Sequence, residues 1–384
     1  MGGLARNSIL KRLSLVLLLT IEVSAAAVAL SRLALASKPF LPAISTQNEP
    51  SAHMRAFAAL EPIDAHTHAF KSDPEFYGMM KRLHLHVLDI CVADSHRLFR
   101  SLGPEILSAQ SFVRGSHGQA ALCTTFDPYR LADPNFADEA IKQLNDNFAQ
   151  GAVAVKIWKN IGMEIKTPAG KFVLPDDPIF EPIYKDIEAH NKTLIAHVAE
   201  PTICWRPLDP ADPSSSYYQE HPEWHMYTHP DHPSKETLIA SRDHLLEQHP
   251  KLRVVGAHLG SMELDLDEIA RHFDRYPNFA VDTAARTEYL MLQPRGKVRD
   301  FLIKYQGRVL YGTDGVFQLN DSTAKARKEW EEAYARDWKF LATDESLEYQ
   351  GRKIQGLKLP ESVLRKIFHD NAIQWIPGVV AVAN

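Results

Sequence analysis

The sequence predicts one large (β/α)8 barrel, a TIM barrel of the α/β class, carried behind a short N-terminal segment that stands outside the fold. Three observations predict it. Eight short apolar runs alternate with stretches of helical period, the pattern of a parallel sheet covered on both faces. Nearly every run ends in polar residues, and a barrel gathers its functional groups at the C-terminal ends of its strands. The turn after the first run reads His66-Thr67-His68-Ala69-Phe70, without the glycines that a doubly wound nucleotide-binding sheet would place there. Composition agrees. With 384 residues, 45% hydrophobic and 24% charged, the chain is an ordinary globular protein rather than a disordered, collagenous or coiled-coil one. Its 43 Lys+Arg against 48 Asp+Glu leave no basic footprint for a nucleic-acid backbone.

The elements follow in chain order. Arg6, Lys11 and Arg12 precede an apolar run, then an Ala-rich stretch ending Ala34-Leu35-Ala36. Basic, apolar, then small-x-small is the layout of an export signal cleaved after Ala36, so residues 1–36 are read as a signal peptide of a periplasmic or secreted protein. An uncleaved membrane anchor is the alternative, and Glu22 in the middle of the span weakens it. Residues 37–62 are read as a leader and 63–384 as the barrel. The strand-like runs are Ile63–His68, His86–Val92, Ala120–Phe126, Ala152–Trp158, Thr193–Val198, Arg253–His258, Phe279–Thr283 and Arg308–Thr313. Helical patterns include Asp138–Ala149, Ile179–His190, Lys235–Gln248, Leu264–Arg275, Lys297–Tyr305 and the closing Pro360–Trp375. One long irregular stretch, 200–234, is dense in Pro, Ser and aromatics and reads as a functional lid. Cys91, Cys123 and Cys204 are odd in number and widely spaced, so they read as buried thiols, not a disulfide framework.

The chemistry lies in where a few of the 18 histidines fall. His66 and His68 are two apart on a strand, hence on one face and about 7 Å apart, close enough to converge on one ion. Alone, that pair is weak evidence. Leu194-Ile195-Ala196-His197, Val254-Val255-Gly256-Ala257-His258 and Leu310-Tyr311-Gly312-Thr313-Asp314 then each close an apolar run on one potential ligand. A purely structural barrel has no need to finish three strands that way, and together they point to a metal centre. Asp64, two residues before His66, is read as a structural group on the same face but deeper.

The ordered set His66-x-His68, Lys156, His197, His258, Asp314 resembles the amidohydrolase superfamily of metal-dependent barrels, and within it the amidohydrolase-related branch, which also holds decarboxylases and hydratases. The resemblance runs from about Ile63 to the last helix. It implies that His66, His68 and Asp314 hold a divalent metal, with His197 completing a one-ion set. His258 would be an acid/base group or, with His197, a ligand of a second ion. Lys156 would be the lysine that binuclear relatives convert to a bridging carbamate; a substrate- or carboxylate-pairing amine is the other reading. Zinc is the expected ion, one rather than two, with manganese or another divalent ion as alternatives. Lys159 is read as lying in a wetter turn.

The leading functional expectation is a hydrolase in which metal-bound hydroxide attacks a C–O or C–N bond of ester, lactone or amide type, with Asp314 or His258 moving the proton. The alternative is non-oxidative decarboxylation of a small, cyclic carboxylic acid at the same site. A non-catalytic barrel is disfavoured because all five strand-end groups are retained. Arg286, Arg206 and Trp158 are candidate substrate contacts, the arginines as carboxylate clamps, with ordinary salt bridges as the competing role. Tyr217, Tyr218, Trp224 and Tyr227 suit either a flat ligand or lid packing. His221, His225, His229 and His232 are interrupted by prolines and read as lid-packing, not as a second metal site. The partner expected is a small-molecule substrate, with no nucleic acid, a membrane only through an uncleaved N-terminal segment, and a homo-oligomer left open.

Overall fold

The structure of the protein is a computed structural model that describes residues 51–94 and 102–380. The expected export segment 1–36 and the leader up to residue 50 lie outside the described residues. Among those described, no helix is long and apolar enough to cross a membrane.

Nine strands form one parallel sheet in the order β8-β7-β6-β5-β4-β3-β2-β1-β9. They are β1 (Ile63–Ala69), β2 (His86–Ile90), β3 (Ala120–Thr125), β4 (Ala154–Ile157), β5 (Thr193–Ala196), β6 (Arg253–Gly256), β7 (Phe279–Asp282), β8 (Val309–Leu310) and β9 (Gly315–Phe317). From β1 to β8 each strand pairs with its sequence neighbours. The expected eighth strand is split. β8 pairs with β7, whereas β9 pairs with β1. Between them Tyr311 takes the Ala65 amide on its carbonyl at 2.9 Å and Asp314 donates its amide to the His66 carbonyl at 2.9 Å, which closes the barrel. The break occurs because Asp314 turns into the left-handed region, at φ 67°.

Side chains alternate across the barrel wall with the strand period of two. Leu88, Ile90, Ala154, Ile195, Val255, Ala280 and Leu310 fill the barrel, and Ala372, Trp375, Ile376 and Val379 of the C-terminal segment belong to the same apolar cluster. Their neighbours Val87, Val155, Leu194, Val254, Val281 and Val309 face the surrounding helices. The filling is what makes the strands read as continuous apolar runs, since both faces are dry.

β1 departs from this alternation. Its register against β2 shifts between Asp64 and Thr67, a β-bulge. Ile63 and Ala65 therefore pack inside the barrel, while Asp64 turns outward to accept hydrogen bonds from the Tyr334 and Thr313 hydroxyls at 3.1 and 2.6 Å. The expectation that Asp64 shares a face with His66 is thus corrected: one inserted residue flips the side. Its structural role stands.

The expected helices form at Phe136–Ala149, Glu181–Ala189, Lys235–Gln248, Leu266–Arg275 and Arg295–Lys304. The closing pattern is a helix at Glu361–Arg365, a wider π turn at Lys366–Asp370 and a last helix at Asn371–Trp375. Residues 51–62 carry a helix, Ala52–Ala58, whose N-terminus is capped by the Ser51 hydroxyl. Its Phe57 is fully buried against Tyr334, Trp338 and Phe368. A 20-residue helix, Thr323–Ala342, and a hairpin of β10 (Ser346–Tyr349) and β11 (Arg352–Gln355) follow β9.

Candidate metal centre and its roof

The strand ends surround a cavity of about 570 Å³ lined by His66, His68, Lys156, Trp158, Lys159, His197, Glu200, His258, Arg286 and Asp314, among others. Its floor is built from histidines whose orientation is decided by second contacts. His68 places Nδ1 2.8 Å from the Ile90 carbonyl, and His258 places Nδ1 2.9 Å from the Ala284 carbonyl. A carbonyl only accepts, so both Nδ1 atoms carry the proton and both Nε2 atoms present a lone pair. His66 directs Nδ1 at the Asp282 carboxylate, 2.8 Å away and fully buried, with the same result. Burial pushes the His68 imidazole below its usual pKa, and that of His258 well below, which keeps them neutral.

Asp314 supplies the anion. Its Oδ1 lies 3.3 Å from His68 Nε2 and 3.5 Å from His66 Nε2, and these three groups form a set in which every donor atom is within 4.8 Å of the others. Burial works to raise the carboxyl, but the surrounding His68, His258 and His66 hold it well below the ordinary range, so it stays ionised. Two imidazole lone pairs facing one carboxylate oxygen leave a gap that a cation fits. Nitrogen and oxygen donors in this number suit a borderline divalent ion.

His197 and Lys156 stand beside this set. His197 closes β5, and its Nε2 is buried with no hydrogen-bond partner; it is not within the same 4.8 Å group. Its ring sits 4.3 Å from that of His258, centroid to centroid. Burial lowers its pKa strongly, and the positive charges of Lys159 and Arg286 add to the effect. Lys156, almost wholly buried, donates from Nζ to the His66 Nε2 lone pair at 3.1 Å. Burial lowers the amine's pKa, against the pull of Asp282 and Asp314.

His258 does not sit on the strand as expected. β6 ends at Gly256, and His258, Leu259, Gly260 and Ser261 all take positive φ, 60°, 56°, 61° and 59°. Left-handed conformation costs roughly 1–2 kcal/mol for each L-residue, so the turn persists only because its surroundings hold it. The Asp282 carboxylate accepts the His258 amide at 2.8 Å, and Arg242 donates to the Gly260 carbonyl at 2.7 Å. Asp282 thereby orients both His66 and His258. Sequence reasoning passed it over, although it too closes a strand, the Phe279-Ala280-Val281-Asp282 run.

The roof is the 200–234 stretch, folded into short turns and one brief helix, Ser215–Glu220. The view of Lys159 as solvated is corrected: it is 2% exposed. Its Nζ pairs with the Glu200 carboxylate, donates to the Tyr217 hydroxyl at 2.8 Å and lies 4.4 to 5.2 Å from the Trp224, Tyr217 and Trp158 ring centres. Tyr218 donates to the other Glu200 oxygen at 3.0 Å. Apolar and aromatic cover from the roof makes that turn dry, which local polarity could not reveal.

Of the weaker candidates, Trp158 and Arg286 line the cavity. Arg206 does not. It is exposed outside the lining, and its carbonyl serves His225 Nε2 at 2.9 Å, because the chain turns away after Trp205, whose indole donates to the Pro233 carbonyl. Among the described residues the roof histidines make no metal-ligand group; His225 is buried and His229 lies against His232 at 5.2 Å between rings. Cys91, Cys123 and Cys204 are all buried.

No curated protein matches the sequence. Among solved structures, a 2,6-dihydroxybenzoate decarboxylase from Rhizobium superposes with a TM-score of 0.46 at 13% identity, covering 82% of this chain and 98% of that one. A 5-carboxyvanillate decarboxylase from Novosphingobium aromaticivorans, complexed with manganese and 4-hydroxy-3-methoxy-5-nitrobenzoic acid, gives 0.45 at 14% identity, with 80% of each chain covered. A dihydroorotase from Campylobacter jejuni gives 0.42 at 11% identity, with 82% of each covered. Residues 117–377 match the family profile described as Amidohydrolase. That match spans well over half of the chain, and the protein therefore belongs to the amidohydrolase family of enzymes.

Proposed function

We propose that the protein hydrolyses a C–O or C–N bond, of ester, lactone or amide type, in a small organic substrate at a divalent metal held by His66, His68 and Asp314. His197, His258 and Lys156 are the groups that would serve a second ion. The observation that carries this reading is the convergence of imidazole nitrogens and one carboxylate on a single cavity. A divalent ion there supplies Lewis acidity and lowers the pKa of water it binds from 15.7 to near 7. Zinc suits these donors, and manganese is the alternative.

The chain's own groups do the rest. Asp314, kept ionised, accepts a proton at its carboxylate. His258, with Nδ1 tied to the Ala284 carbonyl, has Nε2 free to take up that proton and pass it to the departing atom. Glu200, Lys159, Tyr217 and Tyr218 hold the roof over the cavity. From the layout of residues 1–36 we place this chemistry outside the cytoplasm.

A second reading, decarboxylation of a cyclic acid, is favoured by one feature. The donor atoms of His66, His68 and Asp314 lie close enough to share a single ion, and His258 stands beside them to exchange a proton with carbon. Element analysis of the purified protein, peptide mass at Lys156 and a product screen separate the two. One ion and cleavage of an ester, lactone or amide are expected; two ions with a Lys156 heavier by one CO2 would mark the binuclear form of the same reading, with His258 a ligand. Release of CO2 from a hydroxybenzoate, with one ion and no hydrolysis of any ester, lactone or amide, would replace the first reading by the second. His66→Ala should abolish metal retention and turnover together; a variant that keeps both removes His66 from the centre.

A further inference from the structure

A guanidinium taken out of water is costly unless carboxylates or carbonyls meet it. Two buried or half-buried arginines here are met. Arg242 donates to the Gly260 carbonyl and to Asp243, and Arg336 to Glu288 and Asp337. Arg286 is different. It is 6% exposed, and among the described residues its one hydrogen bond runs from Nη1 to the carbonyl of its neighbour Ala285, at 2.7 Å. Its Nε is buried with no partner, and no described carboxylate lies within ion-pair distance. The Tyr289 ring, 5.6 Å from its Cζ, gives it a face to rest on but no anion.

The other buried cation of the roof does not share this state. Lys159 is engaged by Glu200, by the Tyr217 hydroxyl and by three aromatic rings. Arg286 therefore brings to the cavity a guanidinium with no ion pair among the described residues, felt only from farther off by Glu200 and Glu263, and it lines that cavity together with His197, His258 and the flat side chains of Trp158 and Tyr217.

We propose that Arg286 anchors a carboxylate of the substrate that is not the group undergoing reaction. Its Nη2, which unlike Nε is not enclosed and has no hydrogen-bond partner among the described residues, is the group open to a carboxylate oxygen. The substrate class that follows is a flat organic acid with two functional ends, one held by Arg286 and the other presented to His66, His68 and Asp314. The inference rests on the proposed reading of those three as the reacting pole, and adds the second pole.

The test compares benzoate with its neutral isostere benzamide. Binding of each to the metal-loaded protein is measured by titration calorimetry for the wild type, Arg286→Met and Arg286→Lys, with metal content determined in every sample. We expect the wild type to prefer benzoate at least about tenfold, as a charged hydrogen-bond pair warrants. Arg286→Met should erase that preference with metal content unchanged, and Arg286→Lys should keep part of it. Equal binding of benzoate and benzamide by the wild type overturns the proposal without reference to any variant. So does a preference that survives in Arg286→Met, since the carboxylate is then held elsewhere. A wild type that retains no metal yet still prefers benzoate through Arg286 would fail the metal reading alone and leave this one standing.

Discussion

The floor and the roof of the cavity both bury polar groups and settle them in opposite ways. On the floor each of His66, His68 and His258 has one ring nitrogen fixed, by Asp282, the Ile90 carbonyl and the Ala284 carbonyl, and the other left facing the cavity. On the roof the groups answer one another: Lys159 with Glu200 and Tyr217, Tyr218 with Glu200, Tyr289 with Asp212 and Ser214. Arg286 is the roof-side exception. A satisfied buried network gives rigidity, whereas an open buried lone pair is retained only where something binds it. The same currency of hydrogen bonds thus separates structure from function within one cavity.

Substitutions can break this contrast from either side. The largest effect is expected at the roof. Lys159→Met leaves the Glu200 carboxylate buried without its cation, which costs about 3–5 kcal/mol for a pair of this kind. Denaturant melts should show that loss while metal content stays constant, and adding Glu200→Gln should recover most of it. A loss under about 1 kcal/mol would mean that the roof pair is not structural.

A smaller effect tests a buried carboxyl belonging to neither surface. Asp337 accepts from the Tyr311 hydroxyl at 3.0 Å and from Arg336, and burial, partly opposed by Arg336, lifts its pKa from 3.8 to about 6. The folded protein then holds a proton that the unfolded chain releases near pH 4. Its contribution is full below about pH 4 and is lost as pH rises through about 6, amounting to roughly 3 kcal/mol across that window. Asp337→Asn should flatten the decline of unfolding free energy measured by urea melts between those values. An unchanged slope assigns the decline to other groups.

The smallest effect belongs to the floor and should spare stability. Asp282→Asn sets an N–H against His66 Nδ1, which reverses the imidazole tautomer and turns Nε2 from acceptor to donor. Chelator competition should then read metal affinity weakened about 10–100-fold. Equal affinity in variant and wild type would mean that Asp282 does not orient the centre.

Much of this site was legible from the residue order. Apolar runs terminated by His197, His258 and Asp314, and the His66-x-His68 pair, sufficed to place a candidate metal centre at one end of a barrel, because strand period and barrel topology bring successive strand ends together wherever the chain alternates strand and helix. Lys159 was misplaced for the converse reason. Its dryness comes from Trp224 and Tyr217, more than fifty residues later, and no local pattern carries that.

Three features depended wholly on the folded chain. The bulge in β1 turns Asp64 away from His66, the left-handed turn after Gly256 lifts His258 off its strand, and the break before β9 brings Asp314 under the His66 carbonyl. Each is a departure from regular backbone held by partners distant in sequence: Tyr334 for Asp64, Asp282 and Arg242 for the His258 turn, β1 for Asp314. Periodicity is a local property and so reports which residue types reach the strand ends. The exact direction in which each points is set by long-range hydrogen bonds that exist only after the barrel has closed.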